Sequence, residues 1–299
     1  MTKIPMTAEA EHDAQPTDDD NRLWSVTTIL KSFGDSEGLI HWTAEETAKA
    51  AVGSLKTLTA MAADDPDAAI EWLRGARFRA SRGQRSATKL GQDVHSACEL
   101  YVVTGKRPDP GTPLPNGVLD AEVAPYIDSF ELWLDRFQPA YTAAEVVVYN
   151  ERYGYAGQTD GYATVQGTPV IIDYKSAKTS FDGRGNRRKP WTDVAMQLAA
   201  YRHAPKAAVW RARRFENYGR RYYLLNAEER ELAVDTPSVD GGLVIHLTPD
   251  HADVYPVDCG PDIFDAFLYA IEGARWTSVT SKRVLGEPLA LMDRNGEGH

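Results

Sequence analysis

The chain has 299 residues, of which 42% are hydrophobic and 25% charged, and a formal net charge of −10 at pH 7. Those proportions are those of an ordinary globular protein with a chain long enough for a sizeable core. No apolar run approaches the roughly 18 to 20 residues that cross a bilayer. The first residues carry Glu9, Glu11, Asp13 and Asp18 to Asp20 where a secretory leader needs positive charge and an apolar core, so a cytoplasmic protein without a membrane partner is expected.

Residues 1–22 are polar, acidic and aperiodic, and read as a disordered tail. Trp24-Ser-Val-Thr-Thr-Ile-Leu30 is a short β-prone or helix-entry segment. Residues 41–82 read as mainly helical, with Trp42, Leu55, Leu58, Ile70, Trp72 and Leu73 as the apolar positions. Asp64-Asp-Pro-Asp67 breaks that region and can cap the helix after it. A helix over 87–103 sets Leu90, Val94, Ala97, Cys98 and Tyr101 at helical spacing, and stops at Thr104-Gly105 before a proline- and glycine-rich loop ending at Gly117. Residues 119–137 form a second amphipathic helix, with Val123, Ile127, Phe130, Leu134 and Phe137 inward.

From there the pattern is that of strands: 145–149, 155–165 and, after a turn at 166–169, a central strand over 170–175. The arginine- and glycine-rich segment 178–190 reads as a mobile loop. A helix over 191–202, strands near 221–225 and 243–247, and a last helix near 263–276 complete the order. The reading is an α/β (α+β) domain over 23–276, with a helical N-terminal part (23–86) and a core (87–276), followed by a C-terminal tail (277–299). There is no internal repeat and no phosphate-cradling glycine loop of the Gly-x-x-x-x-Gly-Lys-Ser/Thr kind.

Two cysteines, Cys98 and Cys259, are too few for a disulfide framework or for a four-cysteine iron–sulfur or zinc site. They read as reduced, partly buried thiols. The basic residues cluster despite the acidic total. One run holds Arg74, Arg77, Arg79, Arg82, Arg85 and Lys89; a second Arg184, Arg187, Arg188 and Lys189; a third Arg211, Arg213, Arg214, Arg220 and Arg221. One such run is usually a solvated face, but three around one set of acids favour phosphate contacts.

That set begins with Val170-Ile-Ile-Asp-Tyr-Lys175, where three apolar residues lead into an acid, an aromatic and a lysine. Residues two apart on a strand share a face, so Asp173 and Lys175 emerge together. Alone, such a pair is more often a plain ion pair. Gly157-Gln-Thr-Asp160-Gly161 adds a second carboxylate on the strand that turns back into this one. A meander of this length can bring Asp160 and Asp173 close, and a divalent cation is the usual remedy for two uncompensated carboxylates. Oxygen-rich ligation favours Mg²⁺ or Mn²⁺ over zinc. His95 lies on the helix of Gly91-Gln-Asp-Val-His-Ser-Ala-Cys-Glu99, where a lone histidine is more often a satisfied core residue; Glu99, one turn on, can hold its imidazole. Gln197 and Tyr201 are four apart and share a helix face, a pair that alone would be read as helix surface.

Taken in order from His95 to Tyr201, these elements resemble the PD-(D/E)XK nuclease superfamily, and within it the RecB-like branch with the CRISPR-associated RecB-like exonucleases that phages also carry. The motifs are a histidine helix, an acid before a strand, Gly-x-x-Asp, Asp-x-Lys and Gln-x-x-x-Tyr. Ser25-Val-Thr-Thr-Ile-Leu30 is also similar to the entry of phage members. The resemblance implies a restriction-endonuclease-like core, a central mixed sheet flanked by helices. It implies Asp160 and Asp173 as ligands of Mg²⁺ or Mn²⁺, with His95 and the backbone carbonyl of Tyr174 completing the shell. Lys175 would orient or activate the attacking water, Gln197 and Tyr201 would position DNA or support the site, and Glu145 would be an additional acid before the meander. Arg184, Arg187, Arg188, Lys189, Arg211, Arg213 and Arg214 would contact DNA, with Trp191, Trp210 and Tyr218 as stacking surfaces.

Two departures are visible. Asp173 stands where many relatives have Glu, and the iron–sulfur cysteines of many relatives are absent, so no cluster is expected. The activity implied is a DNA exonuclease of recombination, repair or phage DNA processing, acting on single strands or duplex ends. A recombination annealing protein or a separate helicase would be its partner, in a bacterial or phage-infected cell. A structure- or sequence-specific endonuclease and a catalytically silent DNA-binding module are the alternatives.

Overall fold

In the computed structural model, which describes residues 22–33, 36–75, 87–208, 213–217 and 220–286, the chain enters a sheet at its first described residues. β1 (Arg22–Ser25) alternates half-buried Arg22 and Trp24 with buried Leu23 and Ser25, and leads directly into α1 (Val26–Phe33), which buries Val26, Ile29 and Leu30. The N-terminal part is therefore not wholly helical: it supplies a sheet strand, and Arg22 belongs to that strand rather than to a tail.

Three helices follow, α2 (Ser36–Gly53), α3 (Leu55–Asp64) and α4 (Pro66–Arg74). Leu58 and Ala69 are buried, but Leu55 and Ile70, expected inward, are 66% and 47% exposed. Breaks at Ser54 and Asp65 restart the helical phase, so positions that would align along one continuous helix fall on different faces. Asp65 caps α4 as its sequence predicts, its carboxylate accepting from the N–H groups of Asp67 and Ala68 at 3.0 Å each. Asp65→Ala leaves both without that acceptor. A loss of about 1 kcal/mol is expected, read as a fall of roughly 2–4 °C in the unfolding midpoint.

α5 (Ala87–Thr104) matches the expected helix to within a residue and buries Leu90, Val94, Ala97 and Cys98. It ends where Gly105 takes φ of +65°, a conformation glycine adopts without Cβ strain. A small hairpin, β2 (Pro113–Leu114) with β3 (Gly117–Val118), interrupts the next loop. α6 (Ala124–Phe137) begins later than expected because the Asp120 carboxylate accepts from the N–H groups of Glu122 and Val123 and forms a turn first.

The meander consists of β4 (Ala140–Asn150), β5 (Tyr155–Val165) and β6 (Thr168–Ser176), antiparallel throughout. After it come α7 (Val194–Arg202), β7 (Lys206–Ala207), β8 (Arg213–Asn217), β9 (Arg220–Leu224), α8 (Ala227–Glu231) and β10 (Val234–Asp235). β11 (Gly241–Thr248) returns parallel to β6 and pairs with β12 (His251–Val257). α9 (Pro261–Ser278) and a 3₁₀ turn at Thr280–Arg283 carry ordered structure into the segment expected to be a tail.

The result is a mixed sheet between two helical layers, the α/β class expected. Val26, Ile29, Leu198, Tyr201, Phe267 and Ile271 from α1, α7 and α9 cover one face. Leu90, Val94, Ile127, Phe130 and Trp133 from α5 and α6 cover the other. No described helix is long and apolar enough to cross a membrane. Both cysteines are free thiols, more fully buried than expected, and burial pushes both thiols up.

One irregularity in the sheet positions everything that follows. β5 pairs with β4 along one edge, but its other edge is shared: residues 161–165 bond to β6, and Tyr155 and Ala156 bond to β1. Between these two partners the sheet forks. The β5–β6 ladder ends at Gly161↔Ile172, and one further step in that register would set Asp160 directly opposite Asp173.

Candidate active site

At the fork, Asp160 fills the gap left by the ended ladder. Its Oδ2 accepts from the backbone N–H of Tyr174 at 2.5 Å, so a side chain supplies the bond that a neighbouring strand would have made. Thr159 Oγ1 donates to the Ile172 carbonyl at 3.1 Å and holds the fork's other side. Both strands are thus pinned with two carboxylates facing one cleft of about 410 Å³.

His95 reaches this cleft from α5, with Nδ1 3.0 Å from Asp160 Oδ1. Glu99, the residue expected to steady it, lines the same cleft, but the partner of Nδ1 is Asp160. Burial alone would press the His95 pKa down; the Asp160 charge beside it, reinforced by Asp173, instead lifts it to about 9. Asp160 is correspondingly held below the usual carboxylate range, burial being outweighed by His95 and the Tyr174 N–H.

Asp173, 2% exposed, emerges from β6 on the same face as Lys175. Burial pushes its carboxyl up and Asp160 adds to this, against the pull of Lys175. Gln197 on α7 ties the group together: its Nε2 donates to Asp173 Oδ1 at 2.8 Å and to the Tyr201 hydroxyl at 3.1 Å, while its Oε1 accepts from Lys175 Nζ at 3.2 Å. The Gln-x-x-x-Tyr spacing is therefore not helix surface. Tyr201 is 2% exposed and backs the site. Below β6, Trp133 Nε1 donates to the Tyr141 hydroxyl at 3.2 Å, which bonds that of Tyr174 at 2.8 Å, fixing the residue between Asp173 and Lys175.

Glu145 also lines the cleft, opposite Asp160 on β4, and its carboxylate accepts from Gln158. Its φ of +52° is an uncommon conformation for a non-glycine residue inside a strand and aims it out of the regular pleat. The β1–α1 junction contributes Ser25 and Thr27, whose hydroxyls share a hydrogen bond of 2.7 Å, and β9 contributes Tyr223. The sequence marked the Ser-Val-Thr segment but did not place it at the site; only the β1–β5 pairing does so.

The expected DNA-contact arginines divide. Segment 178–190 contains a hydrogen-bonded turn. The Asp182 carboxylate accepts from the N–H groups of Arg184 and Asn186 at 2.8 Å each. Arg187 is paired in two-pronged fashion with Asp253, through Nε at 2.7 Å and Nη2 at 2.6 Å. Arg188 Nε is within 3.0 Å of Thr179 Oγ1. Arg184, Lys189 and Trp191 stay on its exposed side, Trp191 at 68%. Arg213 and Arg214 lie on β8, which pairs with β9 at one edge of the sheet. Trp210, Arg211, Tyr218 and Arg77 to Arg85 lie outside the described residues.

The donor set suits a hard divalent cation. Asp173 Oδ2 is buried, with the Lys175 ammonium 2.5 Å away as its charge partner. His95 and the Tyr174 N–H each contact Asp160, which lines the same cleft as Asp173. Among the described residues no three His, Cys, Asp or Glu side chains already form a metal-holding group.

No protein-family model matches the chain. No curated protein matches it either. Several solved structures share a distant likeness. A "Putative exonuclease" from Eubacterium rectale has 14% identity and a TM-score of 0.35 over 74% of this chain and 84% of that one. The structure of SSO0001 has 13% identity and a TM-score of 0.28 over 51% of this chain and 57% of that one, so the match spans little more than half its length.

Proposed function

We propose that the chain is a divalent-metal-dependent nuclease, a phosphodiester hydrolase acting on DNA, and more narrowly a RecB-like exonuclease of the PD-(D/E)XK kind. The observation that carries the proposal is the fork: two buried carboxylates, Asp160 and Asp173, one step beyond the last paired residues of β5 and β6, with Lys175 and Gln197 beside them. An ordinary buried ion pair needs one acid and one base. Here two buried acids converge beside a lysine and an imidazole, and a divalent cation is the usual partner of two carboxylates brought this close.

Asp160, Asp173, His95 and the Tyr174 carbonyl are the residues that would hold Mg²⁺ or Mn²⁺, which would lower the pKa of a bound water and polarise a phosphate oxygen. His95 must lose its proton to serve as a ligand. Lys175, anchored by Gln197, is placed to orient the attacking water and to balance charge on the phosphate. Gln197 and Tyr201 hold that geometry. Ser25 and Thr27 offer hydroxyls to phosphate oxygens from the opposite wall. Arg184, Lys189 and the exposed Trp191 ring follow Lys175 in the chain and offer single-stranded DNA a stacking surface and phosphate partners.

The test is end-labelled linear DNA, single- and double-stranded, incubated with Mg²⁺, Mn²⁺ or EDTA beside a closed circle. Metal-dependent loss of linear DNA with the circle intact is expected, and the labelled end then reports polarity. Cutting of the circle assigns an endonuclease instead; no cleavage with either metal would sink the nuclease reading.

A further inference from the structure

A second cleft lies on the other side of β1. Successive side chains on a strand point to opposite faces: Ser25 lines the acidic catalytic cleft, and Trp24 lines a separate cavity of about 320 Å³ between β1, the turn before β5, and α9. Its charged lining is wholly cationic, namely Arg22, Arg275 and Arg283, in a chain whose net charge is −10. Arg275 donates through Nη2 to the Tyr153 carbonyl at 3.1 Å and pairs with Glu272 at 2.5 Å, which fixes its position at the rim. The Arg22 guanidinium lies over the Tyr222 ring at 5.1 Å. The three guanidinium groups are the charged side chains that line the cavity among the described residues. The remaining walls are flat or apolar: Trp24, Tyr153, Ile29, Ile271 and Val279.

We infer that this cavity is a nucleotide-binding site distinct from the catalytic cleft. Guanidinium groups match phosphate geometry with paired donors, the Trp24 and Tyr153 rings and the aliphatic floor suit a base and sugar, and the cavity is of small-ligand size. The shared chemistry is a nucleoside 5′-phosphate, met either as a free mononucleotide or as one unit of a strand. The inference does not depend on hydrolysis.

The full chain is titrated in EDTA with 2′-deoxyadenosine 5′-monophosphate, with 2′-deoxyadenosine, and with a twelve-residue deoxyadenosine oligonucleotide, reading heat of binding and unfolding midpoint. Arg22 and Arg283 line this cavity and not the catalytic cleft, so their variants separate binding here from binding there. Saturable binding of the monophosphate but not of the nucleoside is expected. Arg283→Gln should weaken it about tenfold, Arg22→Gln with Arg283→Gln should remove it, and Arg283→Lys should retain most of it. Loss confined to the oligonucleotide assigns the site to a strand; loss confined to the monophosphate assigns it to the free nucleotide. Binding of neither ligand, or equal binding by Arg283→Gln and the unsubstituted chain, overturns the site. DNA cleavage by the same preparations is scored separately, so failure here leaves the nuclease proposal standing.

Discussion

Alanine at Lys175 and alanine at Asp173 are expected to abolish DNA hydrolysis alike but to part company in metal binding. Lys175 Nζ lies 2.5 Å from Asp173 Oδ2, where it competes with any cation for the carboxylate. Lys175→Ala removes that competitor together with the group that orients water, so activity should fall on the order of 10³-fold while Mn²⁺ still raises the unfolding midpoint. Asp173→Ala removes the ligand itself, and both properties should go. The scale is measurable: a cation at 100 times its Kd stabilises by about 2.7 kcal/mol, or roughly 5–10 °C for a domain of this size. In metal-free buffer Lys175→Ala should be the less stable protein, because a carboxylate that is 2% exposed loses its counter-charge. Wild-type cleavage by Lys175→Ala would remove its catalytic role, and an undiminished Mn²⁺ shift in Asp173→Ala would remove Asp173 from the ligand set.

The parts of this site that could be read in the sequence are those set by local periodicity. Asp173 and Lys175 share a face because a strand has period two, and Gln197 and Tyr201 share one because a helix has period near four; both hold in the structure. The meander over 155–165 and 170–175 and the histidine helix were legible for the same reason. What was not legible depends on pairing between distant segments. β1 could be called β-prone, yet its place beside β5 follows from a contact across 130 residues, Trp24 with Tyr155, and that contact is what opens the fork. β12 went unseen because Asp253 and Pro256 interrupt the apolar alternation of an edge strand. The loop after Lys175 looked mobile because glycine and arginine dominate its composition; the partner that ties it, Asp253, lies far along the chain. Glu145 was noted for its position alone, and its left-handed backbone has no sequence signature.

The same distinction explains why Gly157 carries an expectation that no motif predicts. A Cβ at Gly157 would stand 2.2 Å from Tyr201 Cε1 and 3.0 Å from Cζ, inside contact distance of a ring that is 2% exposed and cannot swing away. Gly157→Ala therefore has to displace Tyr201, and with it the hydroxyl that accepts from Gln197, whose other Nε2 hydrogen holds Asp173. A loss of about 3 kcal/mol is expected, at the upper end for overpacking, and hydrolysis should fall at least about tenfold through misplacement of the group around Lys175. Tyr201→Ala should cost about 3–5 kcal/mol as a large buried truncation. In the double variant the new methyl group enters the space the ring has left, so the two losses should fall short of additive by more than about 1.5 kcal/mol. Tyr201→Phe keeps the ring and the clash, so it should rescue nothing in the Gly157→Ala background while weakening the hold on Gln197 by itself. Additive losses in denaturant unfolding would show that ring and glycine are not in contact, and the path from β5 through Tyr201 to Asp173 would then have to be abandoned.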